Sequence, residues 1–132
     1  MAFGTFDIYH PGHESYLRQA KKLGDYLVVV VARDRTVAII KKQETRNNEQ
    51  KRKKILEESG LADEVVLGDL KDRYKIIEKY RPEVIALGYD QKVDLVELEG
   101  KLKEFEINAK IVRLKSFKPE IYKSSLIMKH KA

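Results

Sequence analysis

Two histidines three positions apart, His10 and His13, stand in the run Gly4-Thr5-Phe6-Asp7-Ile8-Tyr9-His10-Pro11-Gly12-His13. On a helical turn residues at that spacing share a face, so both imidazoles point the same way. Pro11 has a fixed φ suited to a first helical turn, and Gly12 lets a ligand approach the backbone. The free N–H groups and positive dipole end of such a turn favour anions. Together these residue types describe a clamp for phosphate charge. A His-x-x-His pair taken alone reads equally as half a metal site or as two surface histidines. A zinc site is disfavoured, since His130 is the only other histidine and cysteine is absent. No metal ligand is assigned.

The clamp needs elements to hold it, and the apolar pattern supplies them. Strand-like runs occur at Tyr26 to Ala32, Glu64 to Leu67, Glu83 to Leu87 and Ala109 to Leu114. The first is continuously apolar, as in a strand buried on both faces of a parallel sheet. Helical patterns run from His13 to Leu23, Asn48 to Glu58, Asp72 to Tyr80 and Val93 to Phe105. Asn48 and Asp72 are expected N-caps, Gly24 is expected to close the first helix, and Pro82 follows the third. A short strand before Gly4 completes the order βαβααβαβαβα. That alternation predicts an α/β fold, a Rossmann-like three-layer sandwich around a mostly parallel five-stranded sheet, in a single domain over 1–132. Only three residues precede Gly4, so either the first strand is very short or the numbering begins inside a longer chain. The histidine run then sits between the first strand and first helix, where open α/β sheets bind ligands.

Charge narrows the partners. The chain of 132 residues carries 27 Lys/Arg and 21 Asp/Glu, a net +6, and the excess lies entirely in residues 110–132. A second basic block covers 33–54, whereas 55–106 is acidic. Two basic blocks on an otherwise acidic body suggest an anion site built from two segments. The rival reading is a basic nucleic-acid-binding module, and the acidic stretch argues against it because it would repel a polyanion. No apolar run approaches a membrane span, so no membrane partner is expected. With no visible secretory signal and no cysteine, a cytoplasmic protein is expected.

Gly4 to His13 resembles the signature of the cytidylyltransferase-like nucleotidyltransferases, His-x-Gly-His after a Gly-Thr-Phe-Asp strand end. The resemblance runs over essentially the whole chain. Val31-Ala32-Arg33-Asp34 and Leu87-Gly88-Tyr89-Asp90-Gln91 look most similar to archaeal FAD synthases, FMN adenylyltransferases built on the scaffold of glycerol-3-phosphate cytidylyltransferase. It implies transfer of a nucleoside monophosphate from an NTP with Mg²⁺ to a phosphorylated acceptor, with release of pyrophosphate. ATP with FMN is the first reading, and CTP with glycerol 3-phosphate is the alternative.

Carried onto this sequence, the resemblance makes His10, His13, Lys41 and Arg52 catalytic. Lys41 is the lysine of a flexible loop, with Lys42 a close alternative. Nucleotide contacts fall on Gly4, Thr5, Phe6, Gly12, His13, Gly88, Tyr89, Asp90, Ser124 and Ser125, the two serines opening a last helix. Acceptor contacts fall on Asp7 and Tyr9. A homodimer is also implied. The stretch Gln43 to Asn48 departs from relatives that carry proline and apolar residues there. Taken singly, each lysine reads first as a solvated side chain, and Ser124 as a plain N-cap, a role compatible with holding phosphate.

Overall fold

The computed structural model describes residues 1–41, 45–89 and 91–116, apart from the side chains of Ile40 and Lys41. β1 (Ala2–Gly4) leads to α1 (Pro11–Lys21) and β2 (Val28–Val31). Two helices, α2 (Asp34–Lys41) and α3 (Glu49–Ser59), precede β3 (Glu64–Leu67). Then follow α4 (Lys75–Tyr80), β4 (Val84–Leu87), α5 (Leu95–Glu104) and β5 (Lys110–Arg113). All strand pairs are parallel, in the order β3-β2-β1-β4-β5. The α/β reading holds, with a sheet that is parallel throughout.

Alternation along the strands sorts side chains into two cores. Ala2, Val29, Val31, Val65 and Ala86 pack with Leu17 and Ala20 of α1 and Leu56 of α3. Ile85 and Leu87 pack on the opposite side, with Ile77 of α4 and with Leu98 and Leu102 of α5. All four valines of β2 are buried, which is why that run shows no polar alternation.

Asn48 caps α3 as expected, its side chain accepting from Lys51 N–H at 2.8 Å. Other ends differ. α1 begins at Pro11, two residues before the apolar pattern does, because His10 supplies the cap. Gly24 does not close α1: the helix ends at Lys21 with Lys22 as its right-handed cap, and the left-handed glycine among the described residues is Gly60, φ 73°, after α3. Asp72 caps the turn before α4, accepting from Tyr74 N–H at 2.9 Å, and α4 itself starts at Lys75. Arg81, at φ 48°, turns the chain out of α4 ahead of Pro82. Residues 34–41, where the resemblance implies a flexible loop, form α2.

Candidate active site

The histidine loop is built by rings folding onto glycines. After β1 the chain turns back at Phe6, whose φ of 52° lies in the left-handed region that costs a non-glycine residue energy. Its buried ring lies over Gly4, where an added Cβ would come within 2.6 Å of the Phe6 Cε2. The Phe6 ring meets His13 edge-on at 5.2 Å and stacks on Tyr16 at 6.3 Å. His10 and His13 stack with ring centroids 3.9 Å apart and planes 24° from parallel, and Tyr9 flanks His13 at 5.9 Å. The shared orientation expected from the spacing is present.

Two expectations about this turn are corrected. His10 is the N-cap of α1, its Nδ1 accepting the Gly12 N–H at 3.0 Å, while His13 and Glu14 N–H both bond the His10 carbonyl. Pro11 has no N–H, so the first amides of α1 are satisfied inside the chain rather than free. The bare face of Gly12 is covered by the His10 ring: a Cβ there would lie 2.8 Å from the His10 Cε1. Within this turn the imidazoles, rather than free amides, are the groups that could meet an anion. The bond to Nδ1 leaves neutral His10 with its proton on Nε2. Burial lowers the His10 pKa. Burial, then the neighbouring His10, brings His13 down to about 4. Both rings are neutral at pH 7, and a polyanion placed beside them would favour their charged forms. The His13 Nδ1 is buried and makes no hydrogen bond within the protein.

Beside the loop, a buried cation ties three segments together. Arg52 is fully buried. It donates to Asn47 O (3.0 Å), Thr5 O (2.8 Å) and Asp34 Oδ1 (2.6 Å). The catalytic contact that the resemblance implies for Arg52 is not what this geometry provides, because its fork is engaged inside the protein. Asp34 also accepts from Thr45 Oγ1 and the Glu49 N–H, and Arg33 pairs with Glu49 at 2.9 Å. Asp7, expected at the acceptor, holds the 46–47 backbone: its two carboxylate oxygens accept from Arg46 and Asn47 N–H at 2.9 and 2.8 Å. Burial works against the Asp7 charge, yet those amides and the Arg52 and Arg46 charges outweigh it and hold the carboxyl below its usual range. Tyr9 packs on the first core, and burial raises its phenol pKa. Phe6 backs His13 from the interior and offers no ring face to a ligand.

The second wall is the end of β4. Gly88 N–H donates to Gln91 Oε1, Gln91 Nε2 donates to Phe3 O, and Arg113 Nη1 donates to Gly88 O. Tyr89 is exposed beside them. Gln91, Asp34 and Arg113 belong to this architecture but were not singled out from sequence. The first two lie within the Leu-Gly-Tyr-Asp-Gln and Val-Ala-Arg-Asp segments, which was the available signal. Asp90, Lys42, Ser124 and Ser125, and the Lys41 side chain, lie outside the described residues. Among the described residues no three His, Asp or Glu side chains converge as a metal cage would require. A hollow of about 590 Å³ between α5 and β5, lined by Leu102, Ile107 and Ile111, lies toward the strand N-termini, away from the histidines.

A parallel sheet whose order reverses between β1 and β4, with a His-x-Gly-His turn at that point, is the frame of a nucleotidyltransferase. The family model for cytidylyltransferase-like proteins matches residues 1–130, and the chain belongs to that family. FAD synthase of Aciduliprofundum boonei is 50% identical over 117 residues, 89% of this chain and 78% of that protein. FAD synthase of Ferroglobus placidus is 47% identical over 88% of this chain and 75% of its own. A crystal structure of a lipopolysaccharide core biosynthesis protein from Thermoplasma volcanium superposes with a TM-score of 0.83. It is 44% identical, covering 89% of this chain and 95% of that one. No helix among the described residues is long and apolar enough to cross a membrane.

Proposed function

We propose that this chain is an FMN adenylyltransferase, converting ATP and FMN to FAD and pyrophosphate. The observation that carries the proposal is the stacked His10–His13 pair at the β1–α1 turn, in a chain 41–50% identical to several archaeal FAD synthases. The FMN phosphate oxygen attacks the α-phosphorus in line, the bond to the bridging oxygen breaks, and pyrophosphate leaves. No covalent enzyme intermediate is needed, so catalysis is positioning plus electrostatic stabilisation.

In this reading His10 and His13 hold the α-phosphate and bridging oxygen. Lys41 neutralises charge on the departing pyrophosphate, and Ser124 and Ser125 bind its outer oxygens. The nucleotide lies between the imidazole face of the histidine loop and the turn around Gly88, Tyr89 and Asp90, without using the covered faces of Gly4 and Gly12. Arg52 and Asp7 act indirectly, by fixing the Thr5 carbonyl and the 46–47 backbone. Mg²⁺ enters as the MgATP substrate, held mainly through phosphate oxygens and water, as is usual for this ion. A homodimer acting in the cytoplasm completes the proposal, and light scattering tests the assembly.

The decisive experiment gives purified protein Mg²⁺ and each pairing of ATP or CTP with FMN or glycerol 3-phosphate, and measures pyrophosphate. FAD should form from ATP and FMN, and FMN fluorescence should be quenched on binding. Product from CTP and glycerol 3-phosphate with no flavin binding would overturn the choice of substrates.

A further inference from the structure

The sheet is least bonded where the chemistry sits. β1 pairs β2 up to Gly4↔Val31, and Ala32 N–H extends that ladder to Gly4 O at 3.0 Å. β4 pairs β5 over four residues, and Leu114 N–H reaches Leu87 O at 2.7 Å. Between β1 and β4 the registered pair is Ala2↔Ala86 alone. The next rung of a parallel ladder would join Gly88 N–H to Phe3 O.

A side chain occupies that rung instead. Gly88 N–H donates to Gln91 Oε1 at 2.7 Å, and Gln91 Nε2 donates to Phe3 O at 2.8 Å. The donor on one side and the acceptor on the other fix which way the carboxamide faces. Arg113 Nη1 clamps the same turn from β5, donating to Gly88 O at 2.8 Å and Gln91 O at 2.5 Å. On the α1 side, Tyr16 Oη donates to Ala86 O at 2.8 Å and accepts from Phe3 N–H at 3.2 Å. A direct rung would satisfy the same two backbone groups without immobilising a glutamine, which costs rotamer entropy. What the glutamine adds is width: it keeps the C-terminal ends of β1 and β4 one amide group apart at the point where the strand order reverses.

We propose that Gln91 is a positioning residue, a spacer that sets the width of the crevice between the histidine loop and the Gly88 turn, with Tyr16 as its counterpart on α1. This rests on the nucleotidyltransferase reading, since the crevice so held is the one that admits the nucleotide. The spacer touches no reacting atom, so it governs nucleotide affinity rather than turnover.

The test uses Gln91→Ala, Gln91→Glu and Tyr16→Phe, the last retaining the ring that stacks on Phe6. Each should raise the ATP KM about tenfold, the effect of one net hydrogen bond, with kcat kept within about twofold. Hydrogen exchange supplies a readout independent of activity. Gly88 N–H should lose protection in Gln91→Ala and retain it in Gln91→Glu, which keeps the acceptor but not the donor to Phe3 O. Unchanged KM in all three variants, a lowered melting temperature as the only effect, or loss of kcat at constant KM would each overturn the spacer. Failure of the functional reading shows separately, as wild-type protein that releases no pyrophosphate from any substrate pairing. The spacer is then judged on exchange alone, and unchanged Gly88 protection in Gln91→Ala refutes it.

Discussion

Asp34 and Glu49 hold each other's backbone: Glu49 Oε1 accepts the Asp34 N–H at 2.9 Å, and Asp34 Oδ2 accepts the Glu49 N–H at 3.1 Å. Each carboxylate thus serves a helix start, Asp34 in the first turn of α2 and Glu49 in that of α3. Both also face a guanidinium, Arg52 for Asp34 and Arg33 for Glu49. The pair locks the ends of the α2 segment together, beside the carbonyl of Thr5.

Arg52→Ala follows directly from that lock. It leaves Thr5 O and Asn47 O without their donor and empties a fully buried site. Stability should fall by about 3 kcal/mol, from the cavity and the buried carbonyls left without a donor rather than from the ion pair, whose Asp34 is 40% exposed. Asp34→Asn keeps an acceptor for Arg52 and should cost only about 1 kcal/mol. Urea unfolding checks both, and equal small losses would show that the network contributes little.

The histidines allow a cap to be separated from a catalyst. His10→Ala removes both the N-cap of α1 and an imidazole, so it should lose about 1 kcal/mol of stability. It should also cut kcat about 10²-fold, as loss of one preorganised donor does. His10→Asn restores a good cap acceptor, so stability should return while turnover does not. If His10→Asn turned over like wild type, the imidazole would have no chemical role.

Acid should weaken the protein in two separate windows. Burial, then the neighbouring His10, holds the His13 imidazole down to about 4 in the fold, against an ordinary 6.5. Between those values the unfolded chain binds a proton that the native state refuses, so stability falls as pH drops from 6.5 toward 4. Asp7 and Asp34 titrate below 3.8 when folded, so the stability they contribute is present above 3.8 and lost at still lower pH. Unfolding free energies at pH 7.5 and 4.5 should differ less in His13→Asn than in wild type. An identical difference would place the titration elsewhere.

Lys41 and Lys42 differ in expected role despite adjacency. Lys41→Ala should lower kcat more than nucleotide affinity, because its charge matters most as pyrophosphate departs. Lys42→Ala should matter less. Steady-state kinetics of the two variants decides it, and equal, small effects would leave neither lysine at the triphosphate.

What the sequence disclosed depended on how local each signal was. The valine run of β2, the Asn48 cap and the three-residue histidine spacing are short-range patterns, and each is found in place. Arg52 is different. Its acceptors come from Thr5, Asp34 and Asn47, as far as 47 residues away, and in sequence it is one base among nine in residues 33–54. Gly12 likewise reads as room for a ligand, because nothing local announces that the His10 ring folds back onto it. The helix α2 is short, and its start is fixed by the long-range Asp34–Glu49 exchange, which no local pattern announces.

The single registered pair between β1 and β4 also divides the molecule by chain segment. β1, β2 and β3 all come from residues before 68, and β4 and β5 from residues after 83. Each group is built from neighbours in sequence, the kind of contact that forms early and cheaply in folding. Local opening follows the line where fewest bonds cross, and here that line runs through the histidine cleft. Parting along it would separate the two walls of the site while leaving the hydrogen-bond ladders on either side whole. On the nucleotidyltransferase reading, the least-bonded seam of the sheet and the crevice that admits the nucleotide are one and the same.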